Sequence, residues 1–132
     1  MKVNWLDHVN IFTDDMATSA RFYSELLDLD VRNGPAPMRP EQVQWVYDDQ
    51  NRPIIHLNAR GAPQAFRRDC PPGLTGPIHH VALNCSGKDE VARRLEARGA
   101  EFARQEITSI GLTQIFTHDP NGVLLELNFY GD

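Results

Sequence analysis

The feature that most constrains this chain is that it repeats itself. DQNRPIIHLN (residues 49–58) aligns with DPNGVLLELN (residues 119–128) at an offset of 70. Asp49 meets Asp119, Asn51 meets Asn121, Leu57 meets Leu127 and Asn58 meets Asn128. Ile54 and Ile55 meet Leu124 and Leu125, and His56 meets Glu126. A second pair, HVNI from His8 and HVAL from His80, matches at an offset of 72. Two matched pairs at nearly one offset imply two copies of one unit. With 132 residues, both copies fit in one domain, with module 1 at about 1–60, a Pro/Gly-rich linker at about 61–77 and module 2 at about 78–132.

The copies share a coarse plan. WLDHVNIF (5–12) alternates as a strand does, and DMATSARFYSELL (15–27) has Met16, Ala20, Tyr23 and Leu27 at helical spacing. Thr13 or Asp14 is the expected cap of that helix. NGPAP breaks the chain, and QVQWVYDD and RPIIHLN follow as two strands around an Asp-Gln-Asn turn. In the second copy IHHVALNC is the strand, and Ser86 with Asp89 has the spacing of a capping box. Val91 and Leu95 mark the buried stripe of a helix over 88–98 that Gly99 ends. TQIFTHD and GVLLELNF close the unit around Asp-Pro-Asn-Gly, a strong turn signal.

Successive side chains in a strand point to opposite faces. Val9 and Ile11 therefore oppose His8 and Asn10, and Val81 and Leu83 oppose His80 and Ala82. Ile55 and Leu57 oppose His56 and Asn58; Leu125 and Leu127 oppose Glu126 and Asn128. The apolar faces belong against the helices. The other faces carry His8, His56, His80 and Glu126, and a carboxylate among apolar strands needs a partner. Three imidazoles and one carboxylate suit a divalent Zn, Mn, Fe, Co or Ni ion; the lack of Cys in the set argues against a structural zinc. The same alternation places Gln44 and Val46 with His56, and Gln114 and Phe116 with Glu126. Either Gln binds a substrate carbonyl or carboxylate, or it satisfies backbone groups. Trp45 and Tyr47 are expected on the opposite face, as core or as a surface against a partner subunit. Arg39, Arg67 and Arg68 lie in Pro-rich loops, either to neutralise an anionic substrate or simply solvated. His79 and His118 read as structural or surface residues.

Composition narrows the remaining classes. A net charge of −5 with no Lys/Arg stripe sets nucleic acid aside. No run of 18 apolar residues spans a membrane. MKVNWLDHVN lacks a secretory h-region, which gives a cytoplasmic expectation. Cys70 and Cys85 fit a reducing compartment, with a disulfide between them as the alternative.

LDHVNI followed by RFYSELLDL, then IHHVAL, then FTHDPNGVLLEL, in this order and spacing, resemble the vicinal oxygen chelate superfamily over essentially the whole chain. That superfamily includes glyoxalase I, methylmalonyl-CoA epimerase, fosfomycin and bleomycin resistance proteins and extradiol dioxygenases. The resemblance implies an α+β fold of two βαβββ modules whose sheets form a cup around one divalent metal. The modules pair either within a chain or across a homodimer. Family ligand positions carry over to His8, His56, His80 and Glu126. At the His56 position glyoxalase I and the epimerase usually have Glu or Gln, so His56 is either a ligand or a group behind the ligands.

The resemblance implies a small oxygenated substrate and lyase, isomerase or epimerase chemistry through a metal-stabilised enediolate or enolate, with Glu126 as base. Asn10, Gln44, Gln114, Phe116 and Asn128 are the expected substrate contacts. One alternative is an Fe(II) extradiol dioxygenase with His8, His80 and Glu126 as its triad. Phe116 argues against it, because ring-cleaving members usually have Tyr there. Thiol transfer of the fosfomycin type lacks its upstream Lys- and Ser-containing loop. A non-catalytic drug-binding protein of the bleomycin-resistance kind is the last reading.

Overall fold

The computed structural model describes Met1, Asn4, Leu6, residues 8–62 and residues 80–131. The described residues fall into two compact units, one in each half of the chain. Trp5, Asp7, Arg67, Arg68, Cys70, His79 and most of the expected linker lie outside the described residues.

In the first unit the chain runs through strand β1 (Val9–Thr13), helix α1 (Met16–Arg21), β2 (Asp30–Asn33), β3 (Val43–Tyr47) and β4 (Pro53–Ala59). The second unit runs through β5 (Val81–Cys85), α2 (Lys88–Ala97), β6 (Phe102–Ile107), β7 (Leu112–His118) and β8 (Leu124–Tyr130). Each unit is thus βαβββ. The sheet orders are β1-β4-β3-β2 and β5-β8-β7-β6, and both place the first strand parallel to the last. β2 and β6 complete the count that the family resemblance implies. Short polar strands such as DVRN have no apolar alternation to reveal them.

α1 begins one residue later than expected. Asp15, not Thr13 or Asp14, caps it by accepting from the Thr18 backbone N–H at 3.0 Å. Thr13 instead receives the Asp15 N–H on its hydroxyl and meets the Ser19 hydroxyl at 2.8 Å, both buried. A π-helical turn, Phe22–Leu26, continues the helix and rotates the buried stripe. Tyr23 enters the core as expected, and Phe22 and Leu26 join it in place of Met16, Ala20 and Leu27. Ile11, Val46, Ile55 and Leu57 of the same unit are buried as well.

In the second unit Val91 and Leu95 of α2 are buried, as are Ile115, Leu125, Leu127 and Phe129. The Ser86–Asp89 capping box does not form. Gly87 occupies the N-cap with φ 84, and no side chain caps the helix. The far end is as expected. Gly99 is left-handed at φ 62, and Ala100 N–H reaches Leu95 O at 3.0 Å in a Schellman closure.

The two hairpins that close the units show where the repeat is imperfect. Asp119 Oδ1 accepts from Asn121 N and Val123 N, at 2.8 and 2.9 Å. In the first unit the same grip belongs to Asp48, which accepts from Gln50 N and Arg52 N at 3.0 and 2.9 Å. The turns therefore match at Asp48/Asp119, one residue away from the Asp49/Asp119 match that sequence identity suggests. The compensating residue is Ile54. Tyr47 pairs with Pro53 but Val46 pairs with Ile55, so Ile54 is a bulge in β4.

Candidate metal centre

That bulge decides which side chains of β3 share a face with His56. A one-residue slip exchanges the faces of a strand. The observed register pairs Trp45 with His56, Gln44 with Leu57 and Val46 with Ile55. Gln44 and Val46 therefore lie on the side of the buried leucine and isoleucine, which corrects the expectation that they accompany His56. Val46 is fully buried, and Gln44 donates to the Pro40 carbonyl at 3.1 Å. Trp45, expected as core or partner surface, is on the His56 face instead.

On that face of the first unit three rings form a column. The His8 and His56 centroids are 3.8 Å apart with planes inclined by 13°. Trp45 covers the other side of His56, at 4.2 Å and 7°. Asn58, buried on the same face, donates to Asn10 Oδ1 at 2.9 Å. These groups, with Val43 and the loop residues Pro35 and Met38, line a pocket of about 180 Å³. Across β3 from Trp45 stands Arg32, whose guanidinium lies 4.1 Å from the Tyr47 ring and is paired with Asp30. Arg32 escaped the sequence reading because DVRN carries no pattern. Arg39 is exposed and paired with Glu41.

The second unit brings His80 and Glu126 together. Nε2 of His80 is 3.2 Å from Oε2 of Glu126. The other carboxylate oxygen, Oε1, accepts from Gln114 Nε2 and from Asn128 Nδ2, each at 2.8 Å. Gln114 Nε2 also lies 2.9 Å from Asn128 Oδ1, and its own carbonyl accepts from Gln105 at 2.5 Å. The strand register explains the cluster. Gln114 pairs with Asn128, Phe116 with Glu126, and Gln105 with Gln114. The expectation that Gln114 and Phe116 share the Glu126 face therefore matches the register. Gln114 and Asn128 spend their amides on the carboxylate and on each other. Gln105 was not foreseen, although its alternation within FARQEI puts it on this face. His118 ends β7 and is exposed.

A divalent ion bound at about 2.0–2.2 Å by N and O donors keeps neighbouring donors about 3 Å apart. The His80–Glu126 separation fits that edge, and Glu126 has one oxygen fixed and the other directed at the imidazole. Within neither unit, among the described residues, do three His, Cys, Asp or Glu side chains gather.

Residues 5–127 match the Glyoxalase/Bleomycin resistance protein/Dioxygenase superfamily, and the chain belongs to it. Glyoxylase I 4 of Arabidopsis thaliana is 24% identical over 129 residues, spanning 92% of this chain and 68% of that protein. A glyoxalase/dioxygenase from Nostoc punctiforme superposes with a TM-score of 0.70 at 19% identity, over 97% of this chain and 92% of the other. A lactoylglutathione lyase from Agrobacterium tumefaciens gives 0.64 at 16% identity, over 92% and 91%. At these identities the two structures speak for the fold. No described helix is long and apolar enough to cross a membrane.

Proposed function

We propose that this protein is a divalent-metal-dependent lyase or isomerase acting on a small oxygenated substrate. His80 and Glu126 hold the ion. The reading is carried by one observation. Glu126 is anchored at Oε1 by two amides and turns Oε2 toward His80. An unpaired carboxylate in a strand would be costly, and this one is fully organised.

A bound ion would act as a Lewis acid on a chelated carbonyl, acidifying the neighbouring C–H. Glu126 Oε2 is the atom that takes up the substrate proton. Oε1 remains on Gln114 and Asn128, so the carboxylate can turn about that anchor without leaving its place.

The test is proton exchange. Metal-loaded protein in D₂O is given a panel of small α-hydroxy ketones and α-keto acids, and loss of the C–H signal is followed by NMR. Exchange that disappears in Glu126→Gln supports the reading. No exchange with any compound, together with oxygen uptake on catechols after anaerobic Fe(II) loading, would replace it with the dioxygenase.

A further inference from the structure

We propose that the pocket of the first unit binds a small, flat, uncharged heterocycle bearing a lactam, that is, a ring N–H beside a ring C=O. The site lies wholly within that unit and needs no ion, so it is tested apart from the proposed metal centre. The pocket measures about 180 Å³. A cavity of about 150 Å³ holds benzene, so there is room for one six-membered ring with small substituents. No Asp, Glu, Lys or Arg is among the lining residues. An ion entering would give up its hydration with no carboxylate, ammonium or guanidinium to meet it.

Two features of the lining choose the chemistry. The first is the column of stacked rings, His8, His56 and Trp45. His8 and Trp45 cover both faces of His56, so a ligand meets that ring at its edge. Aromatic edges are positive and attract the face of another ring. Pro35 and Met38, from the loop between β2 and β3, add apolar surface, and a thioether suits an aromatic partner. The second feature is an amide pair, Asn10 and Asn58, two residues on from His8 and His56. Asn58 is 6% exposed and donates to Asn10 Oδ1 at 2.9 Å. Among the described residues no hydrogen bond takes Asn58 Oδ1 or Asn10 Nδ2. The pair thus keeps one acceptor and one donor, whichever way round the two amides are turned together. A lactam presents the complementary donor and acceptor on adjacent atoms. A buried carbonyl such as that of Asn58 favours the ligand that brings it an N–H.

The probes are 2-pyridone; 2-pyranone, in which a ring oxygen replaces the N–H at the same size; and benzoate, which is flat but charged. Each is titrated into the whole ¹⁵N-labelled chain as purified, and again after chelation. ¹H–¹⁵N spectra follow the Trp45 indole and the Asn10 and Asn58 side-chain amides. 2-Pyridone is expected to bind one to one, to move all three signals, and to do so equally with and without chelator. 2-Pyranone should bind at least about tenfold more weakly, because the acceptor it leaves unpaired stays buried. Benzoate should leave the spectrum unchanged at concentrations that saturate with 2-pyridone. Met38→Trp fills the pocket from its loop and should abolish binding while the rest of the spectrum stays in place. Equal affinity for 2-pyridone and 2-pyranone overturns the lactam assignment, and benzoate binding as tightly as 2-pyridone overturns the uncharged one. Shifts confined to other residues, undiminished binding in Met38→Trp, or no binding of 2-pyridone at its solubility limit overturns the site. Binding that vanishes on chelation places the ligand on an ion and overturns it too.

Discussion

Glu126 meets His80 at 3.2 Å through one carboxylate oxygen while Gln114 and Asn128 hold the other. The division of labour between the two oxygens follows from strand register. Residues 114, 126 and 128 share one face of adjacent antiparallel strands, and the parallel β5 brings His80 to the same face. A flexible side chain is thereby fixed before any ligand arrives, the preorganisation that metal sites and active sites require.

Replacing Glu126 with Gln keeps the shape and removes the charge. Metal affinity and proton exchange should both fall by orders of magnitude, with an unchanged circular dichroism spectrum. Activity equal to wild type would remove Glu126 from the chemistry.

Gln114→Leu tests the anchor separately. Gln114 is buried, and its amide is the donor that Glu126 shares with Asn128. Losing it should weaken metal binding about 10–100-fold without changing stoichiometry, as for other groups behind a ligand. Isothermal titration of the two proteins measures the ratio. Equal affinities would mean that Asn128 alone holds Oε1.

Asp48 makes a prediction about pH. Burial opposes its charge, but the Arg52 guanidinium and the backbone N–H groups of Arg52 and Gln50 outweigh that and hold its carboxyl below the usual range. A lowered folded-state value stabilises the protein above the unfolded Asp value of about 3.9, and the contribution is lost as pH falls through the folded value. Asp48→Asn should therefore cost about 1–2 kcal/mol at pH 7, the scale of a hydrogen-bonded charge. The gap in urea stability between wild type and variant should narrow as pH falls below the usual Asp range. A gap that does not change with pH would mean that only the shape of the side chain matters.

Much of this was legible in the sequence. Two copies, the strands other than β2 and β6, and the faces of β1, β4, β5 and β8 follow from alternation and repeat alone. The misassigned face was β3. The pairing of Asp49 with Asp119 was the best match by identity, yet the residue that grips the turn is Asp48. A bulge has no composition signature, and the extra residue at Ile54 is as apolar as its neighbours. The α1 stripe held at Tyr23 and missed elsewhere for a related reason. A π-helical turn adds a residue per turn and shifts which positions face inward. Gln105 and Arg32 sit on strands too short or too polar to announce a face. Apolar periodicity reports burial, and these side chains serve the other side of the sheet.

Cys85 should be a poor nucleophile. Burial pushes its thiol up to about 11. Against an ordinary thiol near 8.5, that lowers the thiolate fraction at neutral pH by roughly a hundredfold or more. Iodoacetamide at pH 7.5 should leave the Cys85 peptide unmodified in the native protein and label it fully in urea, as read by mass spectrometry. Rapid native labelling would show that the thiol is open to solvent.

The most direct measurement is metal content. The protein is purified without chelator and without a nickel column, and its metals are quantified beside Glu126→Gln and His80→Ala prepared in the same way. We predict one divalent ion per site in the wild type, and little in either variant. A wild type that holds no metal as purified and takes up none from iron, manganese, cobalt, nickel or zinc would contradict the proposed centre. Glu126 would then be a carboxylate held in place for a ligand of another kind.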